Sequence, residues 1–196
     1  MLIKTLVVGH LGTNCYVVTD EDSLLCAVID PGDESSTILD YMEDNHLQCK
    51  AIMLTHGHFD HTGAVRALME ETGAPLHMHL ADCGSGHHRF DAPDGTYFYD
   101  DGDCVNVGAL EFHVIATPGH TPGGVCYYFE DDKLLLSGDT LFNGSIGRTD
   151  FPGGSMTQMV ESLRKLMTLP EDTLVIPGHG SFTSIGAEKR QNPYIA

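Results

Sequence analysis

The chain has 196 residues, and 41% of them are apolar. This length and composition predict one globular domain with a full hydrophobic core and exclude a largely disordered chain. Asp and Glu number 28 against 10 Lys and Arg, a formal net charge of −18. So acidic a chain should repel nucleic acids and anionic membranes, and we expect neither as a partner.

The sequence also indicates a compartment. No apolar run approaches the roughly 18 residues that a membrane-spanning helix needs, and residues 1–8 lack the pattern of a signal peptide. The six cysteines form no Cys-x-x-Cys pair, and most lie in apolar runs, where they are expected to be buried as small hydrophobic side chains. We therefore expect a cytoplasmic protein, either a monomer or a small homo-oligomer.

Hydrophobic periodicity and turn residues predict the elements in chain order. The predicted strands are residues 2–8, 14–19, 25–30, 51–54, 75–78, 111–116, 124–129, 133–136 and 174–176. The predicted helices are residues 35–45, 62–71 and 155–169, while residues 81–103 and the stretch from 181 onward are predicted to be irregular. Because the first strands form hairpins and later strands alternate with helices, the pattern favours mixed sheets flanked by helices.

The most informative segment is a run of ligand residues directly after a predicted strand. His56, His58, Asp60 and His61 form a His-x-His-x-Asp-His sequence, in a chain with 12 histidines. In an extended segment the first three would point the same way, whereas His61 would be out of phase and could serve a second ion. Imidazole and carboxylate are common metal ligands, so the run predicts a metal site.

Three more potential ligands lie in Gly- and Pro-rich turns that follow apolar strands. They are His120 in TPGHTPGG, Asp139 in SGDT and His179 in PGHG. Each alone is weak, but loops at strand ends often form one site on the rim of a packed scaffold. Together with the histidine run, they predict a single metal centre.

This pattern resembles the metallo-β-lactamase superfamily, with Asp30 at the end of the third predicted strand as the remaining motif. In detail the chain is similar to the short bacterial glyoxalase II-like hydrolases. That resemblance rests on residues 11–16 (LGTNCY), 144–151 (GSIGRTDF) and 188–193 (EKRQNP). It implies an α+β fold, the four-layer αββα sandwich, spanning residues 1–196 as one domain without the C-terminal helical domain that contacts glutathione in full-length glyoxalase II.

The resemblance also implies a dinuclear metal centre and assigns the residues to it. His56, His58 and His120 would hold the first ion; Asp60, His61 and His179 the second; Asp139 would bridge both. Asp30 would support the histidine loop through hydrogen bonds, with a simple turn carboxylate as the less favoured alternative. A donor set of imidazole and carboxylate suits two zinc ions best, and iron or manganese also fit.

The implied reaction is hydrolysis of a thioester such as S-lactoylglutathione. A hydroxide shared by the two ions would attack the carbonyl carbon, with Asp60 and Asp139 orienting it. The secreted class B1 and B2 β-lactamases have a cysteine at the position of Asp139, which argues against that chemistry here. Without the extra helical domain, the thiol carrier stays open.

Other residues are weaker candidates for the site. Arg148 could contact a substrate carboxylate, although an internal pair with Asp150 is favoured, and Tyr97 and Tyr99 could line the pocket. Several histidines are expected not to bind metal: His10, His46, His77, His79, His87, His88 and His113, with a small chance of pocket contact for the 87–88 pair.

Two alternatives remain. A mononuclear Fe(II) persulfide dioxygenase would share the Gly-Arg-Thr-Asp-Phe motif and use His56, His120 and Asp139. The segments 152–154 (PGG) and 177–180 (PGHG) favour the hydrolases over that branch. A non-catalytic metal-binding scaffold is the third reading, and the complete ligand set argues against it.

Overall fold

In the computed structural model, which describes residues 1–85 and 88–195, two six-stranded sheets pack face to face with helices on both outer faces. The strands in chain order are β1 (Leu2–Val8), β2 (Thr13–Asp20), β3 (Leu25–Ile29), β4 (Gln48–Met53), β5 (Leu76–His79), β6 (Tyr97–Tyr99), β7 (Cys104–Val107), β8 (Leu110–Ala116), β9 (Val125–Phe129), β10 (Leu134–Gly138), β11 (Leu141–Phe142), β12 (Ser145–Ile146), β13 (Leu174–Pro177) and β14 (Thr183–Ser184). The helices are α1 (Ser35–Asp44), α2 (Phe59–Thr62), α3 (Val65–Thr72), α4 (Met156–Leu166) and α5 (Ile185–Gln191), with a 3-10 turn at Leu80–Asp82.

The two sheets are both mixed. The first has the order β1-β2-β3-β4-β5-β6, antiparallel up to β3 and parallel from there on. The second has the order β14-β13-β10-β9-β8-β7, in which β10 and β13 are parallel and the other pairs antiparallel. A separate hairpin joins β11 to β12. The αββα sandwich predicted from the sequence is confirmed.

Three buried clusters fill the three spaces between the four layers. The inner cluster lies between the sheets, a second lies under α1 and α3, and a third lies under α4 and α5. In β8, Leu110, Phe112 and Val114 enter the inner cluster, while Glu111 and His113 point outward. This alternation follows from the two-residue period of a strand with one face in the core.

One predicted helix is interrupted. Residues 62–71 were expected to be helical throughout, but α2 ends at Thr62 and α3 starts at Val65. The amides of Gly63 and Ala64 donate to the carbonyls of Gly32 and Pro31, at 3.1 and 2.9 Å, instead of to the preceding turn. The break therefore attaches the histidine segment to the turn that follows β3.

Two segments predicted to be irregular contain regular elements. Within 81–103, β6 pairs with β5 in parallel, and after residue 181 the chain forms β14 and α5. With three residues in β6, two in β14 and seven in α5, these elements are too short for periodicity to reveal them. The predicted burial of most cysteines is confirmed for Cys15, Cys26, Cys49 and Cys126. Among the described residues, no helix has the length and apolar character required to cross a bilayer.

The inner cluster yields a prediction about stability. Phe112 is fully buried and packs against the rings of Tyr127 and Phe129. Phe112→Ala should lower the free energy of unfolding by about 3–5 kcal/mol, because it leaves a cavity between the sheets. The control Phe98→Ala, at a side chain 46% exposed, should change it by less than about 0.5 kcal/mol. Urea unfolding of both variants measures this, and equal losses would contradict the packing described here.

Candidate metal centre

The predicted ligands all lie at one edge of the sandwich. Asp30 follows β3 and the histidine run follows β4, whose carboxyl ends share an edge because the two strands are parallel. In the second sheet Asp139 and His179 follow the parallel strands β10 and β13. His120 follows β8, which runs in the same direction as β10 because both are antiparallel to β9.

Buried hydrogen bonds join the two sheets at this edge. The Asn14 amide donates to the Gly178 carbonyl at 2.8 Å, and the Tyr16 hydroxyl donates to the Pro177 carbonyl at 2.6 Å. These bonds hold the loop of His179 against β2. They also give a structural reason for the LGTNCY segment that carried part of the resemblance.

The histidine run is not extended throughout. His58 has extended backbone angles, and the chain then turns into the single turn of α2, which carries Asp60 and His61. The expectation that Asp60 continues the period of His56 and His58 is therefore wrong. The helical turn directs Asp60 and His61 toward His179, so the run supplies two separate groups of donors.

The first group comprises His56, His58 and His120, all buried, whose donor atoms lie within 4.8 Å of one another. The Nε2 atom of His120 is 2.9 Å from Nδ1 of His58. The other ring nitrogen of His120 lies 2.8 Å from the carbonyl oxygen of Arg148. Since a carbonyl only accepts, Nδ1 of His120 carries the proton, and its Nε2 lone pair faces the group.

The second group comprises Asp60, His61 and His179, again with donor atoms within 4.8 Å of one another. Nε2 of His179 lies 3.2 Å from Oδ2 of Asp60 and 3.2 Å from Nε2 of His61. Asp139 lies between the two groups. One of its oxygens is 3.6 Å from Nε2 of His61, and the other is 3.6 Å from Nε2 of His120.

Asp30 fixes a histidine in each group. Its Oδ2 lies 3.0 Å from Nδ1 of His61 and also accepts the hydroxyl proton of Thr55 at 2.6 Å. Because that hydroxyl has given its one proton to Asp30, it must accept from Nδ1 of His56, 3.0 Å away. Both histidines thereby direct Nε2 toward the centre, and the role predicted for Asp30 agrees with these contacts.

The two groups differ electrostatically. Burial, with smaller contributions from His61 and His120, lowers the pKa of His56 well below its usual range, and burial lowers the pKa of His58 to about 3. Burial would also lower the pKa of His61, but the carboxylates of Asp139 and Asp30 outweigh burial and raise this pKa to about 9. Burial alone would raise the pKa of Asp60, but the hydrogen bond from His179 outweighs burial and lowers this pKa to about 2. The second group therefore favours positive charge.

These donors fit metal ions. Among the described residues, Nε2 of His56 and Oδ1 of Asp139 are buried and have no hydrogen-bond partner, which is costly unless a cation binds them. Gly178 leaves the necessary room, because a Cβ atom there would lie 2.3 Å from Oδ1 of Asp139. Divalent ions bound by imidazole and carboxylate would satisfy both orphaned atoms.

A cavity of about 390 Å³ opens beside the donors. It is lined by Leu11, His58, Phe59, Asp60, His88, His120, Asp139, Arg148 and Phe151. The apolar lining was not predicted, although the position of Phe59 between two candidate ligands was a signal that sequence reasoning could have used. In the structure Phe59 is 55% exposed. The cavity can hold a small substrate next to both donor groups.

The weaker candidates separate clearly. Arg148 lines the cavity, yet its guanidinium donates to both oxygens of Asp150 at 2.8 Å and lies 3.7 Å from the centroid of the Phe151 ring. Tyr99 is a core residue, 5% exposed, whose hydroxyl donates to the Leu54 carbonyl. Tyr97 is on the edge strand β6, outside the cavity lining. The structure thus gives no support to pocket contact by either tyrosine.

The remaining histidines are also located. His77 stacks on Tyr97, and His79 accepts a hydrogen bond from the Ala81 amide in the 3-10 turn, so neither joins the centre. His88 lines the cavity, with its ring 4.7 Å from that of Phe151. His87, its predicted companion, is outside the described residues.

Fold and site together define a metal-dependent hydrolase scaffold. The family model described as metallo-beta-lactamase superfamily matches residues 8–179. The chain belongs to this superfamily.

Two relatives match over nearly the whole chain. A probable metallo-hydrolase of Bacillus subtilis, YqgX, is 39% identical, with 96% of this chain and 94% of the relative covered. The hydroxyacylglutathione hydrolase GloC of Haemophilus influenzae is 34% identical, with 100% and 98% covered.

Solved structures agree on the fold. The B3 metallo-beta-lactamase BLEG-1 superposes with a TM-score of 0.90 at 34% identity, covering 99% of both chains. ETHE1 from Myxococcus xanthus gives 0.87 at 34%, covering 98% of this chain and 84% of that one. TTHA1623 in a di-iron-bound form gives 0.86 at 36%, covering 97% and 99%. Divalent metal binding is therefore a property of the fold, and the di-iron neighbour leaves the metal open.

The donor geometry predicts that only the first of the two His-x-His pairs, residues 56–58 and 77–79, binds metal. His58→Ala removes a donor from the first group, so the protein should bind one equivalent of zinc less than the wild type. His77→Ala, at a histidine that stacks on Tyr97 outside both groups, should leave the metal content unchanged. Metal analysis after dialysis against excess zinc measures both, and equal metal content in the two variants would contradict the assignment.

Proposed function

We propose that the protein hydrolyses a small thioester at a two-metal centre, with S-lactoylglutathione as the first substrate to test. The observation that carries the proposal is the pairing of two complete donor groups on either side of Asp139. In this proposal His56, His58 and His120 hold one divalent ion, Asp60, His61 and His179 hold the other, and Asp139 binds both. Zinc is the metal that this donor set suits best, with iron or manganese as the other choices.

Each part of the site has a task in the proposed reaction. When bound, two cations that share a water lower its pKa toward neutrality and polarise the thioester carbonyl. Asp60 and Asp139 would orient that water while remaining ligands. The leaving thiol has a pKa of about 8.5 and departs as a thiolate without a strong general acid. This suits a centre whose histidines all serve as donors.

The cavity supports a substrate with an apolar part near the carbonyl. Leu11, Phe59 and Phe151 form its apolar wall, and Arg148 is the cation among its lining residues. An apolar wall excludes water and strengthens the electrostatic interactions inside the site. Among the relatives, GloC supports a glutathione thioester in particular. The match covers 98% of that hydrolase, so GloC is about as long as the present chain.

The second candidate is the mononuclear Fe(II) persulfide dioxygenase, and the likeness to ETHE1 supports it as much as GloC supports the first. That reaction would use His56, His120 and Asp139 alone. The complete second group, with Asp60 held by His179 and His61 oriented by Asp30, favours the dinuclear hydrolase. The two candidates predict different metal counts and different co-substrates.

The first test is turnover of S-lactoylglutathione by protein loaded with two equivalents of zinc. We expect hydrolysis, with His120→Ala reducing kcat by at least about 100-fold, because the first ion loses a ligand and the carbonyl loses its polarising partner. His113→Ala, at an exposed histidine of β8, is the matched control and should retain full activity.

Three outcomes would contradict this proposal. Absence of turnover in protein that binds two zinc ions would exclude the glutathione thioester. Iron-dependent oxygen uptake with glutathione persulfide, at one iron per chain, would favour the dioxygenase. Because BLEG-1 is described as a B3 metallo-beta-lactamase, a β-lactam belongs in the same assay, and faster turnover of the β-lactam would also overturn the proposal.

The role of Arg148 is open to a separate test. Hydrogen bonds from Arg148 lower the pKa of Asp150 to about 2, and the pair is bidentate. If the pair only shapes the loop, Arg148→Ala and Asp150→Ala should change KM for the thioester by the same factor. This is the result we expect, because the guanidinium is already engaged by Asp150 and Phe151. A tenfold larger increase in KM for Arg148→Ala would instead indicate contact with the substrate carboxylate.

A further inference from the structure

A buried carboxylate outside both donor groups connects the loops that form the first of them. Asp82 lies in the 3-10 turn after β5 and is fully buried. Its Oδ1 accepts the Gly123 amide at 2.6 Å. Its Oδ2 accepts the Gly57 amide at 2.9 Å and the Thr121 hydroxyl at 2.7 Å.

Two of the three donors to Asp82 adjoin metal-site histidines, and the third, Gly123, lies in the same loop as His120. Gly57 separates His56 from His58, and Thr121 directly follows His120. One side chain thus bonds to both loops that supply the first donor group, although the loops belong to different sheets. By contrast, the second group contacts Asp30 through His61 and shows no hydrogen bond to Asp82 among the described residues.

The glycines at these positions show how closely the loops approach the turn. A Cβ atom on Gly57 would lie 2.9 Å from the carbonyl oxygen of Asp82, and one on Gly123 would lie 2.8 Å from its Cγ. Both loops therefore lie directly against Asp82. The turn itself is fixed, because the Phe90 amide donates to the Asp82 carbonyl at 3.0 Å.

We propose that Asp82 is a positioning residue for the first metal ion, setting the distance between the His56–His58 loop and the His120 loop. It acts through backbone amides and one hydroxyl, without touching metal or substrate. A carboxylate is required because Asp82 meets three donors and must accept from all of them. The inference rests on the two-metal centre of the proposed function, but not on the identity of the substrate.

Asp82→Asn is the informative variant. An asparagine offers one accepting oxygen, so its NH2 group must face either the Gly57 or the Gly123 amide, donor against donor. One of the two loops then loses its attachment while side-chain size is kept. Because Asp82→Asn also removes a buried negative charge close to the first group, a second variant that keeps the carboxylate has to accompany it.

The experiment measures zinc affinity by chelator competition in two backgrounds. His179→Ala impairs the second donor group and isolates the first ion, and His120→Ala isolates the second. We expect Asp82→Asn to weaken zinc binding about 10- to 100-fold in the His179→Ala background. In the His120→Ala background the change should stay within about twofold.

Two further variants keep the test decisive. Thr121→Val preserves the carboxylate and both amide bonds, and should weaken only the first ion, roughly two- to tenfold. Thr121→Val also tests the positioning role if Asp82→Asn does not fold. Asp20→Asn removes another buried carboxylate that accepts a hydroxyl and an amide, those of Ser23 and Ala109, at the opposite end of β2 from the site. It should change neither affinity.

The outcomes are distinguishable. Equal weakening of both ions by Asp82→Asn, or no weakening of either by Asp82→Asn and Thr121→Val, would overturn the positioning role. If neither background binds zinc while Asp82 is intact, the two-metal centre itself is wrong. Thioester turnover plays no part in these results, so failure of the proposed substrate leaves the inference intact.

Discussion

The candidate metal centre depends on the relative position of two sheets. Its donors follow β3 and β4 in one sheet and β8, β10 and β13 in the other, so a small shift between the sheets would separate them. Buried hydrogen bonds prevent that shift at the edge where the donors lie. The Val125 amide donates to the Thr55 carbonyl at 2.8 Å, and Tyr127 donates to the Leu54 carbonyl at 2.6 Å. Such bonds are costly to break because each leaves a buried polar group unsatisfied.

The carboxylates at this edge of the sandwich concentrate negative charge around the donor groups. In the proposed two-metal centre, Asp30, Asp60 and Asp139 together would offset three of the four positive charges of two divalent ions. Before metal binding, these carboxylates raise the pKa of His61, while burial lowers the pKa of His56 and His58. Burial thus favours the neutral form of His56 and His58, whereas the carboxylates favour the positively charged form of His61.

Elements outside the centre serve it through backbone contacts. In the tail, Glu188 accepts the Gly144 amide at 3.0 Å, and Asn192 donates to the Ser145 carbonyl at 3.0 Å, so α5 holds the β11–β12 hairpin. The segment after that hairpin brings the Arg148 carbonyl to His120. Two of the motifs behind the family resemblance, residues 144–151 and 188–193, therefore act as supports for one donor loop.

The sequence alone determined the ligand types, their placement after apolar strands and the mixed sheets flanked by helices, because the histidine run, the Gly-rich turns and the hydrophobic periodicity are all local signals. The four-layer sandwich was implied by the family resemblance. The sequence could not determine the helical turn at Phe59, the interruption at Gly63 or the burial of Tyr99. Each of these depends on contacts with distant residues, namely Pro31, Gly32 and Leu54. The family resemblance implied the division of the seven candidate ligands into two groups, whereas the distances within these groups and the contacts of Asp82 were decided by tertiary structure. Both arise where loops from two sheets meet, at separations that no sequence pattern records.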